Sequence, residues 1–180
     1  MSPSMAASTP RRQGKSDEWW TPRHILDDLG PFDTDPCSPG DAWPTARRQY
    51  TIADDGLTQP WTSMVWLNPP YSDPAPWLQR LAWHNMGIAL VFARCETKWW
   101  FDWVWPHASA LLFLKGRVSF VNGVTGEPSK PGHNAGGPSV LVAYGARAAI
   151  RLISSDLPGA FMSSEFGSYA TGGAYESADH

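Results

Sequence analysis

The sequence predicts an α/β fold: one mainly parallel sheet with antiparallel edge strands, spanning residues 17–157. Three observations carry this. Through the first two thirds of the chain, short apolar runs such as "MVWLN" and "IALVFA" alternate with helical patterns such as "TPRHILDDLG" and "APWLQRLAWHNM". Parallel strands joined by crossover helices produce that order. The last third instead sets "ALLFLK", "RVSFV" and "SVLVAYG" in succession, with a Gly/Pro/Asn-rich loop before the last, which is an antiparallel signature. Finally, 180 residues with 42% hydrophobic content suffice for one core but not for two.

Each element has its own signals. Residues 1–16 are Ser, Pro, Ala and Arg rich without periodicity and read as a disordered basic arm. In "TPRHILDDLG", Thr21 is placed to cap a helix and Pro22 suits its first position. Ile25, Leu26 and Leu29 share one face, and Gly30 ends it. "PFDTD" reads as a short strand ending in acids, followed by the turn-rich "PCSPGD". "RRQYTI" follows as a strand closed by "DDG". "MVWLN" is a buried strand that Pro69 and Pro70 stop, because proline cannot donate to a sheet ladder. The helix "APWLQRLAWHNM" leads through Gly87 into "IALVFA", and "TKWWFDWVW" reads as a helix broken at Pro106. "AAIRLIS" is expected to be a last edge strand, and residues 158–180 a disordered acidic tail.

Composition narrows the classes. No apolar run is long enough for a bilayer and the N-terminus lacks the apolar core of a signal peptide. A cytoplasmic location is therefore expected, and no membrane partner. Cys37 and Cys95 read as reduced thiols outside any metal-ligand spacing, and His133 as a solvated loop histidine, so no metal is expected. Net charge is −3, but it is unevenly spread: residues 16–73 hold ten acids and three bases, residues 74–154 eight bases and three acids. That split is compatible with a phosphate-contacting surface in the second half, and equally with uneven surface charge. Lys115 and Arg117 are the phosphate candidates; Glu96 and Lys98 read as a local ion pair or substrate contacts. Eleven tryptophans are present, and four of them (Trp99, Trp100, Trp103, Trp105) fall in one segment that cannot bury all of them on one helix face. Some are thus expected at a groove, where rings stack on bases.

The chemistry concentrates in "WLNPPYS". Asn68 offers an amide oxygen, and the double proline makes a stiff turn with free carbonyls, so acceptors stay aimed. Two acceptors converging on an exocyclic amine would bind both hydrogens and leave its lone pair free to attack. Tyr71 adds a flat ring for the heterocycle that bears the amine.

This tetrapeptide at a strand's carboxyl end resembles the catalytic motif of amino-methyltransferases that use S-adenosylmethionine. The ordered series "EWWTPRHILDDLGPFDTDPCSP", "YTIADDGLTQPW", "VWLNPPYS", "LVFARCETKWWFD", "LFLKGRVSF" and "GGPSVLVAYG" resembles the small phage and prophage DNA N-6-adenine methyltransferases, the Dam-like family, over residues 18–146. The resemblance implies an abridged Rossmann-like, S-adenosylmethionine-dependent methyltransferase sheet. It is abridged because only about 30 residues separate the two motifs where larger enzymes of this type place several elements. It implies catalytic roles for Asn68, Pro69, Pro70 and Tyr71. Cofactor contacts fall to Trp20, Thr21 and Pro22 of "WTP" and to Asp33, Asp35 and Pro36 of "FDTDP". Asp35 also reads as a strand-ending cap. Asp54 and Asp55 read either as ribose ligands or as turn residues. DNA is the implied partner, for which Lys115 and Arg117 beside their strand are the phosphate candidates, and the implied reaction is methyl transfer to N6 of adenine, in host cytoplasm for a phage-encoded enzyme. Cytosine N4, RNA adenine or protein glutamine as acceptor, and a silent DNA-binding module, are the alternatives.

Overall fold

A computed structural model describes residues 19–123, 126–128 and 137–163. The expected basic arm, His133 and the chain beyond 163 lie outside the described residues. In chain order the elements are β1 (Trp19–Trp20), α1 (Arg23–Leu29), β2 (Thr34–Asp35), β3 (Arg48–Gln49), β4 (Val65–Leu67), α2 (Ala75–His84) and β5 (Gly87–Phe92). A π-helical turn (Trp100–Val104) follows, then β6 (Ala110–Leu114), β7 (Val121–Asn122), β8 (Ser139–Tyr144), α3 (Ala146–Ile153) and β9 (Gly159–Ser163).

Seven strands form one sheet in the order β3-β2-β4-β5-β8-β6-β9, and β1 pairs with β7 in a separate ribbon. Thr34 pairs in parallel with both Arg48 and Val65, and Val65 with Gly87. Antiparallel pairing begins at β5–β8 and continues through β6 to β9. Five strands thus share one direction, while interior β8 and edge β9 oppose it.

Sequence alternation explains the layering. Along β5, Ile88 and Leu90 join a core beneath α1 and α3, while Ala89 and Val91 join a second core beneath α2 and the π-helical turn. Both faces are covered, so the strand reads as a continuous apolar run. Gly145 starts α3 at φ +86°, and a Cβ there would fall 2.1 Å from the Asn85 carbonyl oxygen. No other residue fits so close a crossing.

The expected edge strand "AAIRLIS" is instead helix α3. A strand would place Ala148, Ile150 and Leu152 on one face, but Ile150 is 61% exposed while the other two are buried. The period is four, not two. The true edge strand, β9, pairs Phe161 with Leu112, so the sheet extends past the boundary expected at 157. Of "RVSFV", only Val121 is in a strand, and that strand joins β1, not the sheet. Thr21 does not cap α1. Pro22 occupies the cap position and no side-chain cap bond forms.

The chain leaves β2 toward β3 on one side, and β4 lies on the other. Ligand clefts form at such a reversal, outside the carboxyl ends of the strands.

Candidate active site

A cavity of about 390 Å3 occupies that reversal. Its walls include Asp35 and Pro36 from the end of β2, Asn68 to Tyr71 from the end of β4, Asp55 and Gly56 after β3, and Trp19 to Thr21 from the ribbon. Two segments more than thirty residues apart in sequence thus meet because their strands are parallel neighbours.

The turn after β4 is held tightly. Asn68 Nδ2 donates to the Trp19 carbonyl at 2.7 Å, and Asn68 Oδ1 accepts from the Tyr71 hydroxyl at 3.1 Å. Because a carbonyl only accepts, the contact with Trp19 fixes which way the amide faces. The Tyr71 ring stacks on Phe92 with centroids 4.1 Å apart, and burial pushes its phenol above the ordinary value.

Asp35 is buried, with one carboxylate oxygen accepting from the Cys37 N–H at 2.8 Å and the other from the Thr45 hydroxyl. Burial pushes its carboxyl up to about 7, against the lowering effect of those two bonds. Burial and the neighbouring Asp35 charge also raise the Cys37 thiol. Gln49 Oε1 ties the loop together, accepting from the Ser38 hydroxyl at 2.7 Å and the Thr45 N–H at 3.0 Å. The cavity lining holds a second carboxylate, Asp55, and no basic side chain, so a buried carboxyl there is poised for a cation: its ionisation lacks a countercharge.

Of the four buried polar side-chain atoms that lack a partner among the described residues, two belong to the cavity lining. Thr21 Oγ1 and Trp66 Nε1 are buried without a hydrogen-bond partner, and both residues line the cavity. Both are open to a polar partner that enters the cavity. The outer wall is aromatic: Trp20 stacks on Trp43 at 5.5 Å, and the Arg23 guanidinium lies 4.2 Å from the Trp43 ring centre.

Gly56 closes the floor. A Cβ there would lie 1.9 Å from the Pro36 carbonyl oxygen, so Gly56→Ala must push the β2 loop aside. Overpacking of this kind costs about 1–3 kcal/mol. A lower Tm in scanning calorimetry is the expected outcome.

Not every expected residue lies here. Asp33 precedes β2 and sits at the opposite end of the strand, where it accepts from the Met64 N–H at 3.1 Å and lies 4.0 Å from Arg47. Pro22 caps α1 outside the cavity lining. Asp54 is spent on its own turn, accepting from the Thr51 N–H and hydroxyl, which hold its carboxyl below the usual value; Asp55 lines the cavity. Lys98 pairs with Asp102 at 2.6 Å, not with Glu96. Lys115 and Arg117 are exposed just after β6, whose carboxyl end shares the cavity's edge of the sheet. The tryptophans of the π-helical segment pack on one another and on α2, whereas Trp19, Trp20, Trp66 and Trp77 line the cavity. Sequence reasoning missed Thr45, Gln49, Trp66 and the exposed Ile52 at the rim; of the floor, only the "DDG" turn gave a hint. Among the described residues, no group of three His, Cys, Asp or Glu side chains could hold a metal ion. Nor is any described helix long and apolar enough to cross a membrane.

Comparison with known proteins adds two findings. The sequence model of the DNA N-6-adenine-methyltransferase (Dam) family matches residues 8–156. A DNA N-6-adenine-methyltransferase of Haemophilus phage HP1 (strain HP1c1) is 27% identical over 123 residues, covering 65% of this chain and 69% of that protein. No solved structure matches the chain.

Proposed function

Since the chain belongs to the DNA N-6-adenine-methyltransferase family, we propose that it transfers a methyl group from S-adenosylmethionine to the exocyclic N6 of adenine in DNA, within the cavity described. The observation that carries this reading is the placement of the Asn68–Tyr71 turn and the Asp35 loop in the walls of one cavity, at the carboxyl ends of adjacent parallel strands. The strand order and the reversal between β2 and β4 are compatible with a Rossmann-like methyltransferase sheet.

The residues present fit the cofactor. S-adenosylmethionine, when bound, supplies an electrophilic methyl on a cationic sulfonium. Asp35 offers a buried carboxylate to a cationic ligand, Thr21 Oγ1 and Trp66 Nε1 offer unspent polar atoms, and Asp55 lines the same cavity beside Gly56. Asn68 Oδ1 and the Pro69 carbonyl accept the two amine hydrogens, which frees the nitrogen lone pair for in-line attack. Pro69 and Pro70 keep those acceptors aimed, so alignment supplies much of the rate. The methyl's bond to sulfur would break as its bond to nitrogen forms, leaving a neutral thioether, and the surplus amine proton passes to solvent from its hydrogen bond with one of those acceptors. Tyr71 holds the ring of a base swung out of the duplex, as chemistry on a paired base requires. Lys115 and Arg117, on the same edge, take phosphates.

Incubation with tritiated S-adenosylmethionine and duplex DNA, RNA or protein tests this. Label in DNA, recovered as N6-methyladenine after digestion, is the expected result. Label only in RNA, in protein or as N4-methylcytosine would overturn it.

A further inference from the structure

The two things the proposed reaction asks of the Asn68–Tyr71 turn are each partly taken up by the protein itself. One ring face of Tyr71 lies against Phe92, with centroids 4.1 Å apart and planes 16° apart. One lone pair of Asn68 Oδ1 is taken by the Tyr71 hydroxyl. Phe92 is the last residue of β5, locked in the ladder opposite Ser139, and it does not line the cofactor cavity. The remaining neighbour of Tyr71 is Phe120, edge-on at 6.0 Å and fully buried, so that side is core.

We infer that the Tyr71–Phe92 stack is the closed form of the target-base slot, and that the extruded adenine enters between the two rings with Phe92 as its second wall. The inference rests on the reading of the site as a DNA adenine methyltransferase. A third flat ring needs roughly twice the present spacing. Phe92 is held by its strand, whereas Tyr71 stands on a turn and can swing about its side-chain bonds. That swing also breaks the hydroxyl's bond to Asn68 Oδ1. Opening the slot and freeing that lone pair are therefore one motion: an empty slot keeps one lone pair of Asn68 Oδ1 engaged, and an arriving base releases it. Arg94, exposed and 5.8 Å from the Phe92 ring centre, sets a cation beside the slot, suited to a nucleotide that carries its phosphate with it.

The test separates a stacking wall from mere packing. Once the methylated sequence is read from the wild-type product, 2-aminopurine replaces the target adenine in a duplex, and fluorescence and affinity are measured. Phe92→Leu keeps an apolar side chain but removes the ring; it should weaken capture roughly tenfold and, at saturating protein, leave the extruded probe bright. Phe92→Tyr should retain the wild-type quenching. Both should bind S-adenosylhomocysteine like wild type in calorimetry, which reports folding independently. Should leucine unfold the protein, Phe92→Met carries the same comparison. Tyr71→Phe, which removes only the cap, should lower the KM for DNA. Wild-type quenching and affinity in Phe92→Leu would overturn the slot and leave the enzyme assignment standing. Absence of DNA methylation by the wild-type protein would overturn the reading of the site itself.

Discussion

Asn68→Ala is expected to lose turnover by about two to three orders of magnitude while binding S-adenosylmethionine almost normally. Removing one aligned polar partner of the reacting group costs on the order of 2.7–4 kcal/mol in the transition state. The side chain faces the turn and the ribbon: its nitrogen is held by the Trp19 carbonyl and its oxygen by Tyr71. The cation-seeking end of the cavity is Asp35, on the neighbouring strand. Single-turnover kinetics at saturating DNA and cofactor measure the chemical step. Near-wild-type turnover in a folded mutant would remove Asn68 from the chemistry. Loss of cofactor affinity in equal measure would make its bond to Trp19, and the roof that bond steadies, the main contribution.

Asp35→Asn should abolish a pH dependence that the wild-type protein has. In the empty protein, burial keeps the Asp35 carboxyl protonated up to about pH 7, against 3.8 for the free side chain. Between those values the folded state holds a proton that the unfolded state has lost. The group's contribution to stability is thus fully present below about pH 4 and is lost as pH rises through 7. A cationic cofactor favours the ionised carboxylate and expels that proton on binding. Affinity should therefore rise with pH by up to about tenfold per unit from pH 5 to 7, then level off. The asparagine variant should bind with a flat profile, weaker by about 1.5–3 kcal/mol at pH 8, the worth of a hydrogen bond to a charged group. It should also lack the decline in stability between pH 4 and 7. Calorimetry in buffers of different ionisation heat counts the released proton directly. No proton release in the wild type would mean that Asp35 stays neutral against the ligand.

The Asn68–Tyr71 turn was legible as a strand end in the cavity wall because prolines are rare and costly inside a sheet, and a double proline after "VWLN" stops β4 there. Asp35 was legible for the same reason, as an acid at the end of a short apolar run. Asp33 was misplaced because its distance from Asp35 says nothing of which end of the strand each occupies, and the strand is only two residues long. Thr45 and Gln49 left no trace, since their value lies in reaching back across the loop to Asp35 and its neighbours, a tertiary contact. Tyr71 was read as a free stacking surface, but Phe92, on the next strand over, was invisible as its partner until the strands were set in order. The segment at 146–153 was misread because alanines fit both periods, and only the exposure of Ile150 tells them apart.

The ribbon that roofs the cavity joins the first described strand to one a hundred residues later, with Trp20 opposite Val121. Closing so long a loop is entropically slow relative to the local contacts of the parallel half. The walls can therefore be in place while the lid is missing. Synthesis that stops short of residue 121 would yield a chain carrying the Asn68–Tyr71 turn and the Asp35 loop but no cover over either, and with the Asn68 amide untethered only if Trp19 drifts. Competence thus arrives late, with the second half of the chain, and a partly made protein has little means of acting on DNA.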